Sequence, residues 1–277
     1  DIIIAKIYKM GKKMKIIKPE LLKNGDTIGI LAPSGAMKDD TNLKRGIEFF
    51  ERKGFMVKLS DNIYSQNRYL AGNDIERVDA LHKMFLDKSI NAIICLRGGY
   101  GAIRLINKID YNIIRENPKI FCGYSDITAL NAMFLKRAGL STYSGPMILS
   151  DFGQENLCDY TIEKFFQTVQ NGKFDYSGKF WGGNLSTLVS LCGQDFVPDM
   201  KFTLFLEDLN EPPYKIDKMV TQLFNIEKLR KNVEAVAIGD FLDVDEDITY
   251  IFEELKVPLI KNFPASHSEK KATIPIG

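Results

Sequence analysis

The feature that most constrains the fold of this chain is a regular alternation between short apolar runs rich in β-formers and stretches of helical period. It occurs five times between residues 26 and 144, with predicted strands at Asp26–Ala32, Phe55–Leu59, Ala92–Leu96, Lys119–Gly123 and Leu140–Ser144. The predicted helices lie at 39–53, after Asn73 or Asp74, through Ile103–Ile106 and from Ser125 to Gly139. Repeated strand–helix units predict an α/β fold with a doubly wound, mostly parallel sheet of the flavodoxin-like kind.

The second part of the chain has a different pattern. Residues 150–178 are polar and weakly periodic apart from one helix near 160–170. After Trp181-Gly-Gly-Asn184, predicted helices (following Asn184, 215–229 and 247–255) alternate with predicted strands at Thr203–Leu206, Ala235–Gly239 and Pro258–Ile260. We therefore predict an N-terminal domain at 14–150, a connection at 151–178 and a smaller α/β domain at 179–277.

Composition argues against several classes of protein. The 277 residues carry 37 Lys and Arg against 36 Asp and Glu, so neither nucleic acid nor an anionic membrane is an expected partner. No apolar run approaches the roughly 20 residues of a membrane helix. No two of the four cysteines form a CxxC pair, which favours a reducing cytoplasm over zinc binding or disulfides. The chain begins without Met, and Met14-Lys-Ile-Ile-Lys is typical of a natural start, so we expect residues 1–13 to be an extension.

Two motifs lie where predicted strands lead into helices, the place where doubly wound sheets bind ligands. Arg97-Gly-Gly-Tyr-Gly101 would let backbone N–H groups approach a phosphate or a developing oxyanion, or it forms a plain tight turn. Gly123-Tyr-Ser-Asp126 places Ser125 at a sharp turn, as in a nucleophile elbow, although residue 127 is Ile and not the usual glycine. The alternative is that Ser125 only caps the following helix.

A serine nucleophile needs a base, and the chain has two histidines. His82 lies beside the apolar stripe of a predicted helix, which favours a structural role, whereas His267 lies in a loop after a strand. The base needs a carboxylate to orient it. The candidates at the end of one apolar strand and just beyond it are Glu207, Asp208, Glu211 and Asp217. No His or Cys lies at ligand spacing from them, so no metal site is expected.

Taken in order, these motifs resemble the serine LD-carboxypeptidase family, which includes LD-carboxypeptidase A and the microcin C self-immunity proteins. The resemblance covers residues 19–277, and its motifs are weak singly but specific as an ordered set. They are Gly25–Gly35, Ala71-Gly72 with Arg77, Arg97–Gly101, Gly123–Asp126, Gly182-Gly-Asn-Leu185, Leu206-Glu-Asp208 with Tyr214 and Asp217, Phe263-Pro with His267, and Ile274–Gly277.

The resemblance implies a Ser, His, Glu triad that falls on Ser125, His267 and Glu207. It also implies an oxyanion hole formed by backbone N–H groups, which we assign to Gly99 and Asp126. Because the serine and the glutamate lie in different predicted domains, we expect the site at the domain junction.

The implied reaction is hydrolysis, through an acyl-enzyme, of the L,D-amide between the diamino acid and the terminal D-alanine of a murein tetrapeptide. No metal or organic cofactor is implied. We expect Arg97 or Arg68 to bind the terminal carboxylate of the peptide. The resemblance also implies a homodimer, and the cysteine usage favours the cytoplasm.

The chain departs from the family pattern in two places. The usual Pro-Gly-His is Pro264-Ala-Ser-His267 here, and relatives continue beyond the position of Gly277, so we expect a shortened C-terminus.

Two rival functions stay open. A microcin-immunity hydrolase would need an aromatic face for adenine, for which Trp181 is the only tryptophan. A non-catalytic phosphate-binding module would leave Ser125 without a base, whereas the enzyme requires Ser125 Oγ and a His267 nitrogen about 2.6–3.2 Å apart, or somewhat more when empty.

Overall fold

The computed structural model describes residues 15–277, so the prediction for residues 1–13 lies outside the described residues. The strands are β1 Thr27–Leu31, β2 Met56–Leu59, β3 Ile90–Cys95, β4 Ile120–Cys122, β5 Thr142–Ser144, β6 Phe180–Asn184, β7 Phe202–Leu209, β8 Val233–Leu242, β9 Leu259–Ile260 and β10 Ile274–Ile276. They form one sheet in the order β2-β1-β3-β4-β5-β10-β6-β7-β8-β9.

The first half of the sheet confirms the predicted α/β class. Strands β2, β1, β3, β4 and β5 are neighbours in that order, and each pair is parallel. Along β3, Ala92 and Ile94 pack into one apolar cluster, while Ile93 and Cys95 pack into another. Both faces of the strand are therefore covered, which explains why the sequence shows a continuous apolar run instead of an alternating one.

The α-helices are α1 Thr41–Arg52, α2 Asp74–Leu86, α3 Tyr111–Glu116, α4 Thr128–Met133, α5 Asp159–Asn171, α6 Leu185–Ser190, α7 Pro213–Phe224, α8 Glu227–Asn232 and α9 Thr249–Glu253. Helix α2 begins at a capping box, because Asn73 accepts the N–H groups of Ile75 and Glu76 and the Glu76 side chain accepts the N–H of Asn73. No helix in residues 15–277 is long and apolar enough to cross a membrane.

Three predicted helices differ from the structure. The helix through Ile103–Ile106 is a single 3₁₀ turn, Ala102–Arg104, entered from Gly101 at a φ of +131°. The helix at 215–229 is interrupted between α7 and α8. The segment from Ser125 to Gly139 is a 3₁₀ turn followed by α4 and by a π-helical turn at Phe134–Ala138.

The second half contains two strands that the sequence did not reveal, β6 and β10. Strand β10 pairs antiparallel with β5 and parallel with β6, and β7, β8 and β9 continue in parallel from β6. The sheet is therefore continuous across both halves, and its strand direction reverses once, between β5 and β10. The predicted domain limits at 150 and 179 stay a prediction.

Candidate active site

Ser125 lies at the turn between β4 and a 3₁₀-helix at Ser125–Ile127. Its φ of +61° is a left-handed conformation that residues other than glycine rarely adopt. No side-chain capping hydrogen bond starts this 3₁₀-helix or α4. The capping role that the sequence left open for Ser125 is not observed, and the turn has the strained geometry expected of a nucleophile elbow.

The glycine loop after β3 lies directly against Ser125. A Cβ atom at Gly98 would lie 3.0 Å from Ser125 Oγ and 2.9 Å from its Cβ, so a side chain at residue 98 would crowd the serine. Gly99 has a φ of +110°, and Gly101 approaches the guanidinium of Arg77, which donates a 2.9 Å hydrogen bond to the Gly101 carbonyl. The loop therefore needs its glycines for close packing as well as for conformation.

Two buried charged side chains connect this loop to its neighbours. The Asp126 carboxylate accepts hydrogen bonds from the N–H of Ala102 at 2.8 Å and the hydroxyl of Ser34 at 2.5 Å. The fully buried Arg77 also donates to the Pro33 carbonyl at 2.8 Å. The loops after β1 and β3 are thereby fixed to the turn that carries Ser125.

Glu207, near the end of β7, contacts the loop histidine. Its Oε2 lies 2.5 Å from Nδ1 of His267. Burial raises the pKa of the Glu207 carboxyl above its ordinary value, and the hydrogen bond and charge of His267 oppose this increase. The carboxylate can therefore hold the imidazole in one tautomer and orientation.

The other candidate acids have different partners. Asp208 accepts the N–H groups of Ser186 and Leu209, which ties the start of α6 to β7. Glu211 pairs with Lys215 at 3.4 Å. Asp217 accepts a hydrogen bond from the hydroxyl of Thr221 on the same helix. Of the four acids that the sequence proposed, Glu207 is the one that the structure places against His267.

The structure brings His267 next to the Ser125 turn, but no hydrogen bond joins the Ser125 and His267 side chains. The ring of Tyr124, which precedes Ser125, meets the His267 ring edge-on, with 5.1 Å between centroids. Within residues 15–277, the buried Nε2 of His267 has no hydrogen-bond partner. The separation of about 2.6–3.2 Å between Ser125 Oγ and His267 Nε2 therefore stays a prediction, and catalytic hydrogen bonds often tighten only when substrate binds.

A cavity of about 750 Å³ lies beside the glycine loop. Arg68, Arg97 and Gly99 line it, together with the half-exposed rings of Tyr69 and Tyr100. The structure therefore brings both predicted carboxylate-binding arginines to one cavity next to a predicted oxyanion donor. Arg97 is the less exposed of the two, and its guanidinium also donates to the Ala36 carbonyl.

Comparison with known proteins identifies the family. The family model of the LD-carboxypeptidase N-terminal domain matches residues 28–145, and that of the C-terminal domain matches residues 177–277. The chain belongs to the LD-carboxypeptidase family. Membership confirms the prediction that this is an enzyme of the carboxypeptidase type.

Individual LD-carboxypeptidase relatives match nearly the whole chain. A probable murein peptide carboxypeptidase of Bacillus subtilis is 34% identical over 94% of this chain and 89% of its own length. The crystal structure of a muramoyltetrapeptide carboxypeptidase from Oxalobacter formigenes superposes with a TM-score of 0.81 at 29% identity, covering 91% of this chain and 92% of that chain. An MccF-like protein from Bacillus anthracis superposes with a TM-score of 0.85 at 29% identity, covering 94% of each chain.

Trp181 corrects one prediction. In this LD-carboxypeptidase its side chain is fully buried in the core, with ring centroids 5.8 Å from Phe196 and 5.0 Å from Phe202. It offers no face to a ligand, so the expectation that it could stack on adenine is wrong.

His82 has the structural role predicted for it, because its Nε2 accepts the N–H of Asp110 at 3.0 Å.

Some residues around the site were missed. Tyr124 and Ser34 both belong to motifs named in the sequence analysis. Nothing in the sequence indicates that Tyr124 contacts His267 or that Ser34 contacts Asp126. Cys95 and Cys122 are free and buried, and burial raises the pKa of both thiols, as expected of packing cysteines. No group of three or more possible metal ligands occurs within residues 15–277.

Proposed function

We propose that this protein is a serine LD-carboxypeptidase that releases the terminal D-alanine of murein tetrapeptides by hydrolysing an L,D-amide. The observation that carries the proposal is the contact between Glu207 and His267 beside the strained Ser125 turn. The names of the B. subtilis and O. formigenes relatives support a murein peptide substrate.

Each side chain has a defined part in the proposed reaction. With Nδ1 held by Glu207, His267 uses Nε2 to take the proton of Ser125 Oγ as that oxygen attacks the amide carbonyl carbon. The N–H groups of Gly99 and Asp126 stabilise the oxyanion. His267 then returns the proton to the nitrogen of the departing D-alanine. Water, activated by His267, hydrolyses the acyl-enzyme and restores Ser125.

The cavity beside Gly99 supports a substrate that ends in a carboxylate. Its guanidinium groups on Arg97 and Arg68 are suited to paired hydrogen bonds with such a group. Binding there would lay the last residue of a peptide next to the glycine loop, with the preceding amide near Ser125. The proposed proton transfer also requires Ser125 Oγ and His267 Nε2 to lie within about 2.6–3.2 Å of each other when substrate is bound.

The decisive test is Ser125→Ala, with Ser190→Ala as a matched control on the surface of α6. We expect Ser125→Ala to lower the rate of D-alanine release by several orders of magnitude without lowering the melting temperature, and Ser190→Ala to leave the rate unchanged. Mass spectrometry should find a phosphonate adduct on Ser125 in the parent protein. Near-full activity of the alanine variant would refute the nucleophile.

The rival substrate is an aminoacyl-nucleotide, which the resemblance to the microcin C self-immunity proteins leaves open. The aromatic face that we expected for it, Trp181, is buried, whereas the names of the B. subtilis and O. formigenes relatives support the murein peptide. Parallel assays with a murein tetrapeptide and an aminoacyl sulfamoyl adenylate separate the two. The third reading, a non-catalytic module, is set aside because the chain belongs to a peptidase family.

The assembly and the compartment follow from the same proposal. We propose a homodimer that acts in the cytoplasm on peptides recycled from the cell wall. Light scattering of the purified protein at micromolar concentration measures the oligomeric state. Fractionation of cells that produce the protein measures its compartment.

A further inference from the structure

A buried ion pair lies four residues beyond His267. The ammonium of Lys271 contacts the carboxylate of Asp151, and the two side chains are 3% and 2% exposed. Removing two charges from water costs several kcal/mol per ion, so such a pair is weak evidence for a purely stabilising role. Asp151 also accepts the N–H of Met147 and the hydroxyl of Ser150, which fixes its position.

The ion pair reaches the proposed site through one aromatic ring. Lys271 Nζ lies 4.6 Å from the centroid of the Tyr124 ring. That ring contacts the His267 ring and belongs to the residue before Ser125. The ammonium, the phenol ring and the imidazole therefore form a contiguous packed series beside the nucleophile.

The segment that carries His267 is anchored a second time by α5. The hydroxyl of Thr161 donates to the carbonyl of Glu269 at 2.6 Å and accepts the N–H of Lys271 at 2.9 Å. The N–H of Ala272 donates to the carbonyl of Pro264, which closes residues 264–272 into a loop. This loop, the His267 loop, is thus attached at Asp151 and at Thr161 to the segment between β5 and β6.

We propose that Lys271, paired with Asp151 and supported by Thr161, is a positioning residue that holds the His267 imidazole beside the Ser125 turn, where the proton transfer takes place. The inference rests on the proposed function, and it assigns a role to residues outside the triad. Lys271 acts through the loop and through Tyr124 and touches no substrate, so its loss lowers kcat and leaves KM unchanged.

The first experiment compares Lys271→Met with Lys136→Met. Lys136 is also largely buried and pairs with Asp195 and Asp199, away from the His267 loop. For D-alanine release we expect Lys271→Met to lower kcat by about 10²-fold with KM within about twofold, because an ångström of misplacement costs that much. The control should keep its kcat even where its melting temperature falls. Equal kcat values for the two folded variants would overturn the proposal.

A second pair of variants decides the matter if Lys271→Met does not fold. Thr161→Val is nearly isosteric and removes both hydrogen bonds to the His267 loop. Thr168→Val, about two turns further along the same face of α5, removes bonds to the carbonyls of Lys173 and Thr273 instead. We expect Thr161→Val, and not Thr168→Val, to lower kcat about tenfold, because the His267 loop loses both of its hydrogen bonds to Thr161 and a small misplacement of His267 slows the reaction. Parent-level kcat in Thr161→Val would refute the anchoring role.

Imidazole NMR separates failure of this inference from failure of the proposed function. The chain has two histidines, so signals of His82 serve as an internal reference. The Nδ1–H of His267, bonded to Glu207, should resonate at low field in the parent, and Thr161→Val or Lys271→Met should shift or broaden it while His82 stays unchanged. An unmoved His267 signal contradicts the positioning role, whereas activity of Ser125→Ala contradicts the function.

Discussion

The Ser125 side and the His267 side of the proposed site are held in different ways. On the Ser125 side, buried charges of Asp126 and Arg77 bind backbone N–H and carbonyl groups of the loops after β1 and β3. On the His267 side, two pairs of side chains, Glu207 with His267 and Lys271 with Asp151, add to the bonds that Thr161 makes with the loop backbone.

The difference matches what each side is proposed to do. An oxyanion hole works because backbone N–H groups are fixed before the reaction, so rigid loops serve it. A general base must keep one nitrogen free for a proton, and the buried Nε2 of His267 has no partner among the described residues. The comparison predicts that substitutions on the His267 side lower kcat through proton transfer. Substitutions on the Ser125 side should both displace the glycine loop and lower the free energy of unfolding.

The largest loss of kcat in this comparison is expected for Glu207→Gln on the His267 side. Without the carboxylate, the imidazole loses its defined tautomer, and kcat should fall by up to about 10⁴-fold. Burial raises the Glu207 pKa, so ionising this carboxyl in the folded state costs free energy at every pH above that raised pKa. Thermal unfolding at pH 7 should therefore show the glutamine variant to be at least as stable as the parent.

The stability advantage of Glu207→Gln should vanish in acid. Below the ordinary glutamate pKa of 4.5, the carboxyl is protonated in both the folded and the unfolded protein, so the two variants converge. Melting curves of both proteins between pH 7 and the acid range test whether this difference in melting temperature has the expected sign. A glutamine variant that is much less stable at pH 7 would mean that the Glu207 charge stabilises the fold, and the contrast between the two sides would fail.

The next largest effect is expected for Asp126→Ala on the Ser125 side. The change leaves the N–H of Ala102 and the hydroxyl of Ser34 without their acceptor, at a cost of about 1–3 kcal/mol of stability. The glycine loop then shifts, and kcat should fall by about 10²–10³-fold. Ser34→Ala, which removes one of the two bonds, is the milder control. Urea denaturation and kcat should change together here, unlike in Glu207→Gln.

A smaller effect, on binding, is expected for Arg97→Ala. A lost charge-assisted hydrogen bond is worth about 1.5–3 kcal/mol, so kcat/KM should fall about 10- to 100-fold, chiefly through KM. Arg68 lines the same cavity but is more exposed, so water screens its charge better and Arg68→Ala should cost less. Steady-state kinetics on a tetrapeptide measure both, and a larger loss for Arg68→Ala would reverse the assignment.

The Ser125 side was the more predictable one from sequence. Its strands and motifs are local: an apolar run ends in Arg97-Gly-Gly-Tyr-Gly101, another ends in Gly123-Tyr-Ser-Asp126, and the parallel sheet places both loops at one edge. The sequence also predicts the start of α2 at Asn73 or Asp74, because helix caps are short-range signals, and the structure places the cap at Asn73.

The arrangement of the second half could not be predicted in the same way. Strand β10 is three residues long and contains Pro275, so it gives no strand signal, yet it reverses the strand direction of the sheet. Trp181 stands beside two glycines in a short strand, and its burial depends on Phe196 and Phe202. The pair of Lys271 and Asp151 joins residues 120 positions apart, which no local pattern indicates.

The smallest effect is expected at Glu211, the acid that the sequence could not separate from Glu207. Both glutamates follow the same apolar run, but strand geometry distinguishes them: Glu207 is still within β7 and buried, whereas Glu211 lies beyond the strand end and pairs with Lys215. A partly exposed ion pair of this kind contributes about 0.2–1 kcal/mol. Glu211→Gln should therefore keep kcat within about twofold of the parent and barely change the melting temperature. If its kcat instead fell as far as that of Glu207→Gln, the orienting carboxylate would be misassigned, and the short contact between Glu207 and His267 would have to be explained as packing alone.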